Sequence, residues 1–503
     1  MSQSLTDKTI SGLNWNFVNT YSSAIISTII GVILARLLTP KDFGLIGMVV
    51  VFTGLAELFA TLGLGKSIIR MKNINEDHIT TATIVTVCSS ILIFLVFYFT
   101  APAIAGFYNE PKLISILRAL AVLFILQGIS TVSYSQIMRE LDFKTITIIH
   151  IFTSIVYGTV SASLALINFG VWSLVLGKIS SQFLGLILSV YKFPAKLKPS
   201  IRKKEFKELI GFGSGVSLSN ILFYGTTNID YLLIGKFLNP QALGLYTRAF
   251  NFVTQTMGQI TAGTQIVLFP AFSAVQDNKE KLRRAYLRTV QTVSYILFPV
   301  LFSMVVVSDY IVKGLYGTKW VGTIPSLKIL LLAGVLRVTL QYSGSIAHAT
   351  GKVYSEVIRQ LFYFLILAGC ALYLIRFGIE GVAFAVLIAR IWMFIALSQL
   401  AIKIINSSWK EFFKAHIPAV ANSILMVLLN LILVFTIENV VSIPSNEIKL
   451  LIIVLLNIPF FLATIVFMPL SIKGDTFDWL LDKYKKYIPS KFLQFYLAFN
   501  SQK

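Results

Sequence analysis

Cysteine is scarce in this chain: Cys88 and Cys370 are the two among 503 residues, and both stand inside apolar runs. Neither a disulfide framework nor a thiolate metal centre is therefore expected. Histidine numbers four. His78, His150, His348 and His416 all fall near the inner ends of apolar runs, where interfacial placement accounts for them better than a proton relay. No phosphate-binding glycine loop with its Lys and Ser is present, so direct use of ATP is not expected and no cofactor is called for. Gly63-Leu64-Gly65 reads as a helix end. Acids are few, 22 against 43 bases, for a formal net charge of +21. The bases are spread over alternate loops between apolar runs, which argues against a nucleic-acid ligand. None of those loops on the outer side is long enough to fold as a catalytic domain.

Apolar sequence is what the chain has in excess. Hydrophobic residues make up 56% of it and mean hydropathy is +0.79, the composition of a polytopic membrane protein. A spanning helix needs about 20 apolar residues. Fourteen runs qualify, near 13–38, 43–65, 80–100, 113–136, 146–168, 171–190, 212–236, 243–268, 289–308, 326–348, 354–374, 380–403, 415–437 and 448–468, so an all-α membrane fold is expected. The first apolar stretch, Gly12 to Leu38, exceeds a signal-peptide core and lacks a small-residue cleavage site, and is expected to remain as a helix. With the N-terminus placed in the cytoplasm, 28 bases fall on inside segments and seven on outside ones. That asymmetry supports an even number of spans with both termini cytoplasmic.

The chain repeats itself. RLLTPKDFGL, Arg36 to Leu45, returns as KFLNPQALGL, Lys236 to Leu245, and Asn168-Phe-Gly-Val171 before span six returns as Arg376-Phe-Gly-Ile379 before span twelve. Both copies start on the same side, which makes them parallel repeats of six helices related by an axis along the membrane normal. The expected organisation is a lobe over 1–200, a lobe over 201–405, an added helix pair over 406–470 and a tail over 471–503. The tail places Phe477, Leu480, Leu481, Tyr484, Tyr487 and Ile488 at helical spacing, as in a helix lying on the inner leaflet.

Charges within the spans are the candidate functional groups, because each costs at least ~2.5 kcal/mol in hydrocarbon unless it faces water or a partner. Lys178, Arg337 and Arg390 lie deepest and are expected to line a cavity; the alternative is a buried ion pair with Glu57 or Asp230. Arg118 and Arg248 lie about a turn inside the outer ends, where anchoring and cavity lining are equally compatible with their positions. Arg359 sits near an inner end, and Lys328 and Lys449 start their helices and can snorkel. An arginine fork suits phosphate oxygens, and a cavity richer in bases than acids suits an anion. Asn14, Asn16 and Asn19 on span one, with Asn220 and Asn228 on span seven, could hydrogen-bond a polar ligand, which for the family resembled below means sugar hydroxyls, or one another's helices. Asp230 and Glu57 are candidates for coupling or gating, Asp230 pairing with a base more readily than holding a cation alone.

A set of segments in order resembles a known family: Leu34–Leu45, Gly63–Arg70, Ala101–Pro111, Arg139–Lys144 (RELDFK), Phe169–Gly177, Asn228–Leu238 (NIDYLLIGKFL), Leu243–Phe250 (LGLYTRAF), Leu268–Ser273 and Tyr316–Trp320 (YGTKW). The chain resembles the Wzx-type polysaccharide flippases of bacterial envelopes, within the multidrug/oligosaccharidyl-lipid/polysaccharide exporter superfamily, and looks most like the branch exporting colanic-acid-type and teichuronic-type repeat units. The last two spans and the tail match none of its motifs. The resemblance implies lobes like those of the superfamily's multidrug exporters, a bacterial inner-membrane location, and transport of an undecaprenyl-diphosphate-linked oligosaccharide. It also implies membrane lipids and polysaccharide polymerase machinery as partners. A cation-coupled multidrug exporter of the same superfamily would place acids on span one, which has none. A membrane glycosyltransferase or polymerase would need a long outer loop with catalytic groups.

Overall fold

The computed structural model describes residues 5–60, 63–71, 74–194, 223–440 and 444–467, and all regular structure among them is helical. In chain order the helices are α1 (Leu5–Leu37), α2 (Pro40–Ala60), α3 (Leu64–Arg70), α4 (Glu76–Tyr108), α5 (Leu113–Arg139), α6 (Phe143–Leu166), α7 (Val171–Lys192) and α8 (223–237). They continue as α9 (Pro240–Ala274), α10 (Lys279–Val306), α11 (Ser308–Ile311), α12 (Ile324–Ala349), α13 (Val353–Leu374), α14 (Gly378–Ile404), α15 (Trp409–Asn439) and α16 (Asn446–Phe467). Ten segments among the described residues are long and apolar enough to cross a membrane, one of them, Val353–Ile404, containing both α13 and α14. The expected span at 212–236 lies partly outside the described residues; the tail lies wholly outside them.

Local sequence explains where these helices stop and start. In the first copy of the repeat, Thr39 precedes Pro40, whose missing N–H costs nothing at the first helical position. The Thr39 amide and hydroxyl donate to Asp42 Oδ2 at 3.0 and 2.6 Å, and the Asp42 amide returns a bond to Thr39 Oγ1 at 3.4 Å. This is a capping box closed by an aspartate. In the second copy Asn239 takes the Thr39 position and accepts from the Ala242 amide at 2.8 Å. The other repeated element ends in a glycine at the start of a helix, and both glycines have positive φ, 55° at Gly170 and 75° at Gly378, which a side chain would strain. Two boundaries differ from the sequence expectation. The described part of α2 runs to Ala60, and Gly63 turns left-handed (φ 68°) and opens the short α3 within the expected second span. The helix expected from 289 begins at Lys279, capped by Asn278, whose Oδ1 accepts from the Lys281 amide at 3.0 Å. Its first turns are charged, so hydropathy alone could not find them.

Two compact units result, Met1–Thr247 and Arg248–Lys503, with α9 contributing to both. In the first, α4 lies along α5, α6 along α1 and α7, and α5 along α7. Small residues let the backbones approach: a Cβ on Gly128 of α5 would stand 2.3 Å from Ser90 Oγ of α4, and one on Gly177 of α7 would stand 2.0 Å from Ser161 Oγ of α6. The two copies of the repeat also meet here. A Cβ on Gly44 would fall 1.6 Å from the Pro240 carbonyl oxygen, and one on Gly244 would fall 1.7 Å from that of Pro40. The repeated Pro-x-x-x-Gly is therefore a reciprocal crossing of α2 and α9, each glycine clearing the other copy's helix start.

The RELDFK segment has a structural role in the same unit. The Arg139 guanidinium donates to the carbonyls of Ile68, at 2.7 Å, and of Met71, closing the C-terminus of α3. Asp142 caps α6 through the Thr145 amide and hydroxyl, at 3.1 and 2.7 Å, and pairs with Lys192 at 3.1 Å. Burial would raise the Asp142 pKa, but the hydrogen bonds from Thr145 and Lys192 outweigh it and hold the carboxyl below its usual range.

In the second unit α12 lies along α10 and α14, α13 along α14, and α15 along α10. Trp320, Tyr286, Tyr342 and Phe412 are among its fully buried side chains. The Tyr286 and Ser343 hydroxyls bond at 2.7 Å, and Thr339 Oγ1 bonds His416 Nε2 at 3.1 Å. His416 is 7% exposed among Phe298, Phe394 and Phe412 and ties α15 into the helix core. Helices α15 and α16 are joined by reciprocal amide bonds, Asn430 Nδ2 to Asn457 Oδ1 at 2.8 Å and Asn457 Nδ2 to Asn430 Oδ1 at 2.9 Å.

Candidate functional site

Arg337 on α12, Arg390 on α14 and Tyr363 on α13 each lie within a turn of the midpoint of their helix. The packing of those three helices brings them together. The Arg390 guanidinium carbon sits 4.8 Å from the centre of the Tyr363 ring, and Arg337 lies within electrostatic range of both. Tyr363 is 3% exposed, while both arginines keep partial exposure. Among the described residues neither guanidinium forms an ion pair with a carboxylate. Two neighbouring cations at mid-helix depth repel each other and are poorly solvated, an arrangement that a bound anion would relieve. Sequence reasoning named the two arginines but missed Tyr363, which stands at mid-helix in α13 with no charge to mark it.

The other expected residues are distributed elsewhere. Lys178 of α7 is exposed and within electrostatic range of Glu57 of α2, also exposed. Tyr224 of α8 joins this neighbourhood, its hydroxyl donating to the α2 carbonyls of Val50 and Val51 at 2.7 and 3.0 Å; as an uncharged aromatic in an apolar run it carries no mark in the sequence. Arg118 rests on Tyr98, with its guanidinium carbon 4.6 Å from the ring centre and Nε donating to the Tyr98 carbonyl at 3.4 Å. Arg248 lies 5.0 Å from the Tyr316 ring and 5.3 Å from that of Trp320, which unites the LGLYTRAF and YGTKW segments. Asp230 is 2% exposed; it accepts from the Tyr246 hydroxyl at 2.8 Å and from the Tyr231 amide at 2.9 Å. Those bonds join the NIDYLLIGKFL segment to LGLYTRAF.

Of the asparagines, Asn16 is half-buried and its carbonyl accepts from Thr20 Oγ1 at 2.8 Å. Asn228 Nδ2 donates to the Tyr224 carbonyl of its own helix at 2.9 Å. Asn220 lies outside the described residues. Asn19 Oδ1 meets His150 Nδ1 at 3.1 Å, and His150 Nε2 meets the Tyr134 hydroxyl at 3.2 Å, so this histidine links α1, α5 and α6. Lys328, expected to snorkel, bonds Asp309 at 2.8 Å.

A bundle of membrane-length helices defines a multi-pass membrane protein. The chain belongs to the polysaccharide biosynthesis protein family, whose model matches residues 33–325. It is similar to the teichuronic acid biosynthesis protein TuaB of Bacillus subtilis, at 26% identity over 352 residues, 69% of this chain and 73% of that one. It is likewise similar to the lipopolysaccharide biosynthesis protein WzxC of Escherichia coli K12, at 27% over 356 residues, 70% of this chain and 72% of that one. Its fold resembles that of the lipid II flippase MurJ in an inward closed conformation, with TM-score 0.70 and 14% identity over 94% of this chain and 99% of that one. An inward-facing multidrug resistance transporter of the MATE family also matches, with TM-score 0.62 and 16% identity over 76% of this chain and 94% of that one.

Proposed function

We propose that this protein is a flippase that moves a polyprenyl-diphosphate-linked oligosaccharide repeat unit from the inner to the outer leaflet by alternating access, for surface polysaccharide synthesis. The observation that carries the reading is the Arg337–Arg390 pair, two mid-membrane guanidiniums without a carboxylate partner among the described residues. A diphosphate supplies the missing negative charge, and the arginine fork meets its oxygens in two-point contact. Similarity to TuaB and WzxC supports a polysaccharide precursor as cargo. The cation-coupled drug exporter fits less well, because a cationic drug would be repelled from this pair.

On this reading the chain sits in a bacterial inner membrane with both termini cytoplasmic, and the carrier lipid is undecaprenyl diphosphate. The two repeats rock against one another, with Lys178, Arg118, Arg248, Asn16 and Asn220 adding contacts to the cargo, and the flipped unit passes to a polymerase. Glu57 and Asp230 act in gating, Glu57 by holding Lys178 while the site is empty. A potential negative inside favours outward movement of the anion, by roughly 4–5 kcal/mol for two charges at 100 mV.

The test is flipping of lipid-linked oligosaccharide in proteoliposomes. Arg337→Ala and Arg390→Ala should each lower the rate without reducing membrane insertion, and Arg390→Lys should fail to restore it, since an ammonium is a point charge. An imposed potassium-diffusion potential should drive flipping without a sodium or pH gradient. Full activity in the Arg337→Ala/Arg390→Ala double variant would overturn the assignment.

A further inference from the structure

The face of α12 that carries Arg337 is polar well beyond that residue. Between Ala333 and Ala349 all but five residues of this helix are buried. The five are Leu336, Arg337, Gln341, Ser345 and His348, and from Arg337 onward they recur every three or four residues, which makes one stripe. Four of the five are polar. A helix face turned to hydrocarbon is apolar, as on α13, where Val357, Ile358, Leu361, Phe362 and Leu365 are exposed. The stripe on α12 therefore meets water or a polar ligand.

The stripe lies on the α13 side. Helices α12 and α13 are joined through Thr350-Gly351-Lys352, and both pack along α14 far more than on each other. At the joined end His348 Nε2 pairs with Glu356 Oε2 at 2.9 Å, and a Cβ on Gly344 would stand 3.1 Å from Glu356 Oε1, so Gly344 and Glu356 are level. From there Gln341 lies three residues back along α12, about 4.5 Å, and Gln360 four residues on along α13, about 6 Å, which brings the two amides to one depth. Gln360 shares the Glu356 face of its helix. Both glutamines are half-buried, and among the described residues neither side chain has a hydrogen-bond partner. Ser345 Oγ donates to the Gln341 carbonyl at 3.0 Å, which leaves its lone pairs free to accept. One turn further from the joined end, about 6 Å, stands Arg337 beside Tyr363 and Arg390.

Two unpaired amides one turn from a pair of guanidiniums suit a ligand that presents neutral donors and acceptors next to an anion. Resting on the transport reading, we infer that Gln341, Gln360 and the Ser345 oxygen hold the sugar residue bonded directly to the diphosphate of the cargo. With the diphosphate on Arg337 and Arg390, the glycosyl–phosphate bond sets that first ring immediately beside the arginines. The ring points toward the His348–Glu356 end, because on the other side of Arg337 the α12 face continues as Leu336 and Leu332, which offer no side-chain hydrogen bond. A carboxamide donates and accepts at once, and so matches a pair of neighbouring hydroxyls that each do both. His348 and Glu356, tied to one another, mark the far end of the subsite.

The experiment is native mass spectrometry of the full chain, titrated separately with undecaprenyl diphosphate and with undecaprenyl diphosphate bearing one glucose or one N-acetylglucosamine. At least one glycosylated lipid should bind roughly tenfold more tightly than the sugar-free lipid. Gln341→Met/Gln360→Met, close to the parent in volume but without the amides, should bring that ratio near one while still binding the sugar-free lipid. Gln341→Met alone should bring it part of the way. Arg390→Ala should weaken all three lipids by the same factor. Equal binding of the three lipids by the wild type, or a ratio preserved in both methionine variants, would overturn the subsite and leave the transport reading standing. Failure of the wild type to bind any of the three would overturn the transport reading and the subsite with it.

Discussion

Replacing Gly44 with alanine tests the account of the repeated motif directly. The added Cβ would lie 1.6 Å from the Pro240 carbonyl oxygen and 2.4 Å from its carbon, where ordinary contact begins at 3.4 Å. The obstacle is backbone, so no rotamer change relieves it; α2 and α9 must part by nearly 2 Å at this point. A gap half that size already forfeits up to half of the dispersion energy between facing atoms. Overpacking of this kind costs about 3 kcal/mol, which disfavours the crossed arrangement roughly a hundredfold. Gly244→Ala should cost about the same, since its Cβ meets the Pro40 oxygen at 1.7 Å. The double variant distinguishes this explanation from a general dislike of alanine. One separation relieves both clashes, so the pair should cost little more than either change alone, a coupling expected of residues sharing one contact. Crossing can be read as disulfide yield between Gly47→Cys and Leu243→Cys in a Cys88→Ser/Cys370→Ser background, because Leu243 Cδ2 comes within 3.2 Å of where a Cβ on Gly47 would stand. Yield should fall in each single variant and fall no further in the double. Parental yield with Gly44→Ala, or losses that simply add, would refute the reasoning.

Three further outcomes are expected. Asn430→Leu should lower thermal stability in detergent by about 1 kcal/mol, by depriving the Asn457 amide of its partner, and Asn430→Leu/Asn457→Leu should recover most of it; a neutral single change would count against the amide pair. Asp142→Ala should destabilise by about 1 kcal/mol at neutral pH through loss of the α6 cap. Because the folded-state pKa of Asp142 is depressed, its contribution is present above the usual carboxylate range and lost as pH falls through the lowered value, so wild type and variant should converge in acid. Single cysteines at Asn109 and Thr318 should react with an impermeant thiol reagent in intact cells while one at Asp277 should not, and the opposite pattern would invert the proposed orientation.

Much of the fold was legible because hydrocarbon imposes a coarse demand: a long apolar run must be helical wherever backbone groups cannot reach water. What hydropathy could not supply were features written in single residues. The charged start of α10 is helical because Asn278 caps it, and a separate short helix opens at Gly63 because that residue turns left-handed. The site was legible in part for a similar reason. Arg337 and Arg390 announced themselves by their cost in a membrane, whereas Tyr363 is an ordinary aromatic until packing sets its ring beneath a guanidinium. Family segments such as RELDFK were recognisable as strings, but that Arg139 closes one helix and Asp142 opens another is a matter of three-dimensional neighbours.

The crossing of Pro40 and Gly44 with Pro240 and Gly244 has the character of an isologous interface, the kind formed by identical subunits about a twofold axis: each copy offers the same knob and the same hollow. A chain with one copy of the motif would carry a self-complementary patch on its surface and every substitution there would be felt twice, once on each side of the axis. Two copies in one polypeptide remove that constraint. Thr39 and Asp42 can then keep a full capping box while Asn239 and Ala242 keep half of one, and the two sides of a once-symmetric joint become free to open with different ease.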